Sequence, residues 1–362
     1  MIVVAATACP LRLDASSKDP QFNYENPIQS EALSDPHIVK IGKTWYMTAT
    51  SVPSAGGVSE GALVGINLWS STNLTEWKFV SVLVSPDTGH WYKSGLSTPE
   101  LFPYRGQWYL TFSSAQSDQP GSPRYIGLAV ANKIIGPYHV LTQDKPLIEG
   151  SGGSLFQDDD GKVYLFRNGI SAIRVDLQQA ATTGSTISVV DQGPRGAWDG
   201  AAVGGPEINI EAPAVFKHGN NYYLLYASNG RGYEEGFASA SKITGPWLKY
   251  HNNPVYGAQD KDWAATYKHE YTQAPDVPYT QLGGGSPFVG PDGELWFACR
   301  ATLRGTDQQP RLVIAPITFD HSVIHMVATW TPQVVFLPRH FRVRLGDSRL
   351  ASPELQKLAV QP

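Results

Sequence analysis

Cysteine is nearly missing: Cys9 and Cys299 are the only two in 362 residues, which excludes a disulfide framework and any Cys-x-x-Cys site for zinc or redox work. No run of 18 apolar residues occurs, so no helix is expected to span a membrane. Positive charge is not in excess either. With 28 Lys+Arg against 32 Asp+Glu and a net charge of −4, the chain has no broad cationic surface for a phosphate backbone, which argues against nucleic acid as a partner. Helical periodicity is weak throughout. The opening Ile2-Val-Val-Ala-Ala-Thr-Ala-Cys9 reads as the tail of a secretory signal without its basic start. The expected localisation is therefore secreted or periplasmic, with the cytoplasm as the alternative.

What the chain does have is a repeat. Five segments run from Gly through a polar residue into an aromatic or apolar stretch: Gly42-Lys-Thr-Trp-Tyr-Met, Gly106-Gln-Trp-Tyr-Leu, Gly161-Lys-Val-Tyr-Leu, Gly219-Asn-Asn-Tyr-Tyr-Leu and Gly293-Glu-Leu-Trp-Phe. Each reads as a hairpin turn entering a strand, with a second short strand just ahead of it. The turn glycines lie 64, 55, 58 and 74 residues apart, a spacing that suits four-stranded blades with unequal loops. A lone blade exposes strand edges and cannot bury both faces, so five units predict a closed all-β ring, a five-bladed β-propeller. Its expected span is 31–335. Residues 1–30 are expected as an irregular lead-in and 336–362 as a tail packed on the outside.

In such a ring the starts of the innermost strands converge on a central channel. Here they read Ser34-Asp35-Pro36, Ser97-Thr98-Pro99-Glu100, Ser151-Gly152-Gly153-Ser154, Glu211-Ala212-Pro213 and Gly283-Gly284-Gly285-Ser286. Three carry a carboxylate: Asp35, Glu100 and Glu211. An acid before proline often does no more than cap a turn, but acids gathered in one narrow channel separate into a protonated and an ionised partner, because burial and a nearby negative charge both raise a carboxyl pKa. Those are the two states that acid/base catalysis needs. Around the mouth, Trp69 and Trp91 are candidate stacking surfaces; Arg231, Arg300 and Ser154 are candidate hydrogen-bonding groups. The Asp158-Asp-Asp-Gly161 run lacks the alternating ligands of a calcium loop and reads as a turn. No metal and no cofactor are expected.

At these residues the sequence resembles glycoside hydrolase family 43 and its clan of five-bladed propellers, over about 31–320. The matching stretches are Ser34-Asp-Pro-His-Ile-Val, Thr98-Pro-Glu-Leu-Phe-Pro-Tyr, Leu155-Phe-Gln-Asp-Asp-Asp-Gly, Glu211-Ala-Pro-Ala-Val-Phe and Gly285-Ser-Pro-Phe-Val-Gly-Pro-Asp-Gly. The resemblance implies Asp35 as general base and Glu211 as general acid in an inverting hydrolysis, a mechanism that wants its carboxyls roughly 6.5–9.5 Å apart. It implies an arabinofuranoside, xyloside or galactoside in plant or algal polysaccharide or oligosaccharide as substrate. The match fails at two places. The third Asp usual in the family, at the head of the third blade, is replaced by Gly152-Gly153, leaving Glu100 and Glu149 as candidate substitutes. The fifth-blade His that can hold an axial metal is replaced by Gly283-Gly284-Gly285. The alternative readings are a carbohydrate-binding propeller without catalysis and a protein-interaction propeller.

Overall fold

The computed structural model describes residues 20–28, 32–51, 65–201 and 210–337, apart from 118, 120, 269, 275, 307 and 308. Five antiparallel sheets follow one another along the chain. Their inner strands are Leu33–Ile41, Ser94–Tyr104, Ser154–Gln157, Ile210–His218 and Tyr279–Val289 in blades 1 to 5. Each is joined by a tight turn to its second strand: Thr44–Ser51, Gln107–Ala115, Val163–Arg167, Asn221–Ser228 and Leu295–Leu303. The turn glycines Gly42, Gly106, Gly161, Gly219 and Gly293 all take positive φ, from 58° to 86°. That backbone costs a side-chain-bearing residue energy and costs glycine almost none, which explains their recurrence.

Apolar residues on both faces of each blade pack against the neighbouring blades, so the core is divided into inter-blade clusters. Tyr223, Leu225 and Phe237 of blade 4 meet Phe297 and Val313 of blade 5. Ile38 and Met47 of blade 1 meet Phe288, Trp296 and Leu312 of blade 5. This second seam joins the two ends of the ring. Fully burying a side chain of this size stabilises by about 1.5–3 kcal/mol, so each seam outweighs any single surface contact. The one helix among the described residues, Lys261–Tyr267, lies in the long loop between blades 4 and 5 and is capped by Asp260, whose side chain accepts from Trp263 N.

The ends of the chain depart from expectation. Within the lead-in, Gln21–Tyr24 pairs with Gln333–Phe336 as a two-stranded ribbon, and Phe22 and Tyr24 pack on Trp296. Blade 5 has only three strands of its own, and the N-terminal segment covers its outer edge, with Ile28 N donating to Leu312 O at 2.7 Å and Leu33 N to Pro310 O at 3.1 Å. An uncovered edge would be a template for aggregation, which is the physical reason the segment is ordered. The expected signal remnant at 2–9 and the tail beyond Leu337 lie outside the described residues.

Asn26 fastens this closure. It is buried, its Nδ2 donates to Ile314 O at 2.8 Å, and its Oδ1 accepts from Ile314 N at 3.1 Å. Asn26→Ala strands both backbone groups and should cost about 2–4 kcal/mol, lowering the thermal midpoint by about 5 °C or more. Calorimetry showing an unchanged midpoint would mean the seam does not depend on it.

Candidate active site

The five blade heads share one backbone device. Asp35, Thr98, Gly152, Ala212 and Gly284 have φ of 50°, 47°, 65°, 53° and 66°, and in blades 1, 2, 4 and 5 the pairing register shifts at this point. Left-handed backbone is uncommon for Thr and Ala, and strain of this sort concentrates at functional sites. A bulge sets two residues opposite one and re-aims side chains. It lets Asp35, which carries the left-handed φ, and Glu211, which precedes it in its blade, address the same space.

The head of each of blades 2 to 5 is held by the blade before it. Thr98 N donates to Thr50 Oγ1 at 2.8 Å, Gly152 N to Ser113 Oγ at 3.1 Å, Ala212 N to Asn168 Oδ1 at 2.9 Å, and Gly284 N to Glu235 Oε1. The step from blade 5 to blade 1 is made differently, by Arg300 Nη1 donating to Ser34 Oγ at 3.2 Å.

Asp35, Glu211, Tyr233 and Arg300 form one electrostatic cluster. Both acids are enclosed by protein yet keep a solvent-reached face. Burial pushes the Asp35 carboxyl above the usual range, while a hydrogen bond from Thr50 Oγ1 at 2.8 Å and the positive charges of Arg300 and Arg124 pull it back. Glu211 is also raised, first by burial; Tyr233 lowers it, the negative charge of Asp35 raises it further, and Arg300 lowers it. Thr50, Arg300, Ser34 and Arg124 thus stabilise ionised Asp35, whereas Glu211 faces a negative neighbour. The arrangement favours a charged Asp35 beside a protonated Glu211. Arg300 lies 4.2 Å over the Tyr233 ring, and its Nε finds no protein acceptor. Arg124 Nη2 is anchored on Gly95 O and Ser97 Oγ, both at 2.6 Å.

Several expected site residues do other work. Trp69 is buried in the seam between blades 5 and 1. Trp91 is 6% exposed, its Nε1 donates to Thr142 O at 2.6 Å and its ring stacks on Phe112, so neither tryptophan offers a face to a ligand. Arg231 is tied to Glu234, Nε to Oε2 at 2.7 Å, which leaves its charge neutralised rather than available for substrate. Glu100 lies two residues beyond Thr98, the residue that matches Asp35, and so about 7 Å further along its strand. Its Oε1 accepts from Leu155 N at 2.8 Å and it also binds the Ser154 hydroxyl. Glu100 and the buried Ser154 therefore join blades 2 and 3. Arg300 alone of the expected binding residues lies with the two acids.

Burial pushes Glu100 up to about 8 and holds the adjacent His37 down to about 4. His37 Nε2 lies 3.1 Å from Leu101 O, which fixes the proton there and leaves Nδ1, 3.9 Å from Glu100 Oε2, as an unpartnered acceptor. At neutral pH this is a neutral acid beside a neutral imidazole. The folded state keeps the Glu100 proton where the unfolded state has released it, so stability present in acid is lost as pH rises from the ordinary glutamate range to about 8. Glu100→Gln should flatten that decline, raising the midpoint by about 2–4 °C at pH 8 and by little at pH 4; thermal scans across pH check it, and equal effects at both ends would refute it.

The space at the third-blade head is filled from within. A Cβ on Gly152 would lie 2.1 Å from Asn168 Oδ1, the atom that accepts from Ala212 N, while Glu149 is on the outer strand Ile148–Glu149. The fifth-blade glycines are likewise occupied, Gly283 and Gly284 facing Tyr233 and Glu235. Among the described residues no group of three or more His, Cys, Asp or Glu side chains is placed to hold a metal. Thr50, Asn168 and Arg124 were not legible as site residues.

The family profile for glycosyl hydrolases family 43 matches residues 24–322. A xylan 1,3-β-xylosidase from a Vibrio species is 25% identical over 266 residues, 66% of this chain and 45% of that protein. A non-reducing end α-L-arabinofuranosidase from Bacteroides ovatus is 22% identical over 319 residues, 83% of this chain and 52% of that one. An extracellular endo-α-(1→5)-L-arabinanase from Bacillus subtilis is 24% identical over 244 residues, 60% of this chain and 68% of that one. The chain spans about half the length of the first of these curated relatives. Among solved structures, a thermostable family-43 glycoside hydrolase superposes with a TM-score of 0.68 at 22% identity, covering 86% of this chain and 98% of that one, which supports the propeller fold. Among the described residues no helix is long and apolar enough to cross a membrane.

Proposed function

The chain belongs to glycosyl hydrolases family 43, and from that membership we propose that it hydrolyses glycosidic bonds of plant or algal polysaccharide or oligosaccharide, with a xyloside, arabinofuranoside or galactoside at the cleaved position. Asp35 acts as general base. It takes a proton from a water, whose oxygen attacks the anomeric carbon on the face opposite the departing group. Glu211 acts as general acid and gives its proton to the leaving oxygen as the bond breaks. Arg300, whose positive charge acts on both acids, donates to a substrate hydroxyl. The reading rests above all on the unlike support of two coupled acids in one cluster. A polymeric substrate would place the action outside the cytoplasm, in a secreted or periplasmic protein.

The test is a panel of aryl xylosides, arabinofuranosides and galactosides with proton NMR of the first-formed sugar. Turnover with inverted anomeric configuration is expected. Retention would remove the assignment of Asp35 as base, and binding without turnover on every sugar would make the chain a silent carbohydrate-binding propeller.

A further inference from the structure

Tyr233 does more than fill space. Its Oη donates to Glu211 Oε1 at 2.6 Å, it is 3% exposed, and the fifth blade has been emptied to admit it. A Cβ on Gly284 would lie 2.6 Å from Tyr233 Cε1 and 2.7 Å from Oη, and one on Gly283 would lie 3.0 Å from Cδ1. On the ring's face sits the Arg300 guanidinium, at 4.2 Å. The phenol is thus held by two neighbouring blades and aimed at one oxygen of one acid.

We propose that Tyr233 is the positioning residue of the catalytic acid: by occupying Glu211 Oε1 as a donor, it confines the transferable proton to Oε2. The inference rests on the hydrolase reading given above. In a neutral carboxyl group the oxygen that accepts a hydrogen bond is the carbonyl oxygen, so the hydrogen resides on the other one. When Glu211 gives that proton to the leaving oxygen, its electron pair stays on the carboxylate. The Tyr233 bond then becomes charge-assisted and roughly twice as strong. The donor therefore helps the proton leave. Burial, and next the charge of Glu211, raise the phenol well above its ordinary range, so it remains a donor wherever the enzyme works.

The charged and titratable groups facing this pair are Asp35 from blade 1, Arg300 from blade 5 and Glu235 from the same strand as Tyr233. Glu235 is fully buried and raised far above the carboxylate range by that burial, with Oε2 lacking any protein partner. It is neutral. The negative charge felt by Glu211 is that of Asp35, and Tyr233 is the only neutral donor bonded to the acid among the described residues.

Two replacements move the donor in opposite senses at nearly constant shape. Tyr233→Phe keeps the ring under Arg300 and deletes the hydroxyl; 2,3,5-trifluorotyrosine at 233 makes it a stronger donor. With Phe, the alkaline limb of the kcat profile should move up by at least half a pH unit. Turnover of phenyl glycosides should fall about 10-fold or more, with 2,4-dinitrophenyl glycosides within twofold, since their leaving group needs no proton. With trifluorotyrosine the limb should move down. A limb unmoved by either change, or an equal loss on both leaving groups, would overturn the proposal. Carboxyl 13C NMR of Glu-labelled protein follows Glu211 without turnover, so a wild type inactive on every glycoside defeats the hydrolase reading, and opposite shifts of the carbon titration still decide this one.

Discussion

Glu211→Gln should lower kcat on phenyl or natural glycosides by about 10³-fold, within the range general acids contribute, while sugar affinity changes little. The amide keeps an oxygen to accept from Tyr233, so the hydrogen bond at 2.6 Å survives and the backbone of the bulge is undisturbed. What disappears is the proton. The loss must therefore grade with leaving group, large for an alkoxide and near none for 2,4-dinitrophenolate, which departs unaided. Steady-state kinetics on three aryl glycosides, with binding measured by calorimetry on the free sugar, separate the two effects. A loss that ignores leaving-group acidity would remove Glu211 from the acid's role.

Asp35→Asn should be still more damaging, about 10³–10⁴-fold on every substrate, because activating water is needed whatever departs. The amide also changes what surrounds it. Thr50 Oγ1 now donates to Asp35 Oδ2 at 2.8 Å and accepts from Thr98 N; with Asn an oxygen still faces Thr50, so folding should be preserved. Removing the negative charge should also lower the Glu211 pKa, since Asp35 raises it. The residual activity should accordingly lose its alkaline limb at lower pH than wild type. A variant retaining a tenth of wild-type turnover on dinitrophenyl glycosides would end the assignment of Asp35 as base.

The ring itself was readable in the chain because its repeat is local. Each turn glycine sits between two strands that pair with one another, so the pattern and the contact share one stretch of sequence. Asp35 and Glu211 were legible as candidates for a similar reason, lying one and two residues before a proline at the start of an inner strand. Their supports were not. Thr50, Ser113, Asn168 and Glu235 act on backbone groups 39 to 49 residues further along, and nothing in a strand's alternation says which side chain meets the neighbouring blade. The tryptophans misled for the opposite reason. Trp69 pairs across its sheet with Met47 and Trp91 lies on Phe112; in a ring whose blades bury both faces, a large ring is consumed by the seams before any ligand reaches it. The use of Tyr233 as a donor was not legible either, because it depends on glycines in another blade.

The four side chains that hold the blade heads, Thr50, Ser113, Asn168 and Glu235, each accept from the next blade along the chain, so these clasps share a sense of rotation. A hydrogen bond couples its two ends equally, so a disturbance at one clasp is felt by the blades on both of its sides. Asp35 belongs to the blade whose head receives no such clasp and Glu211 to one three steps downstream, so three clasps stand in series between the two carboxylates.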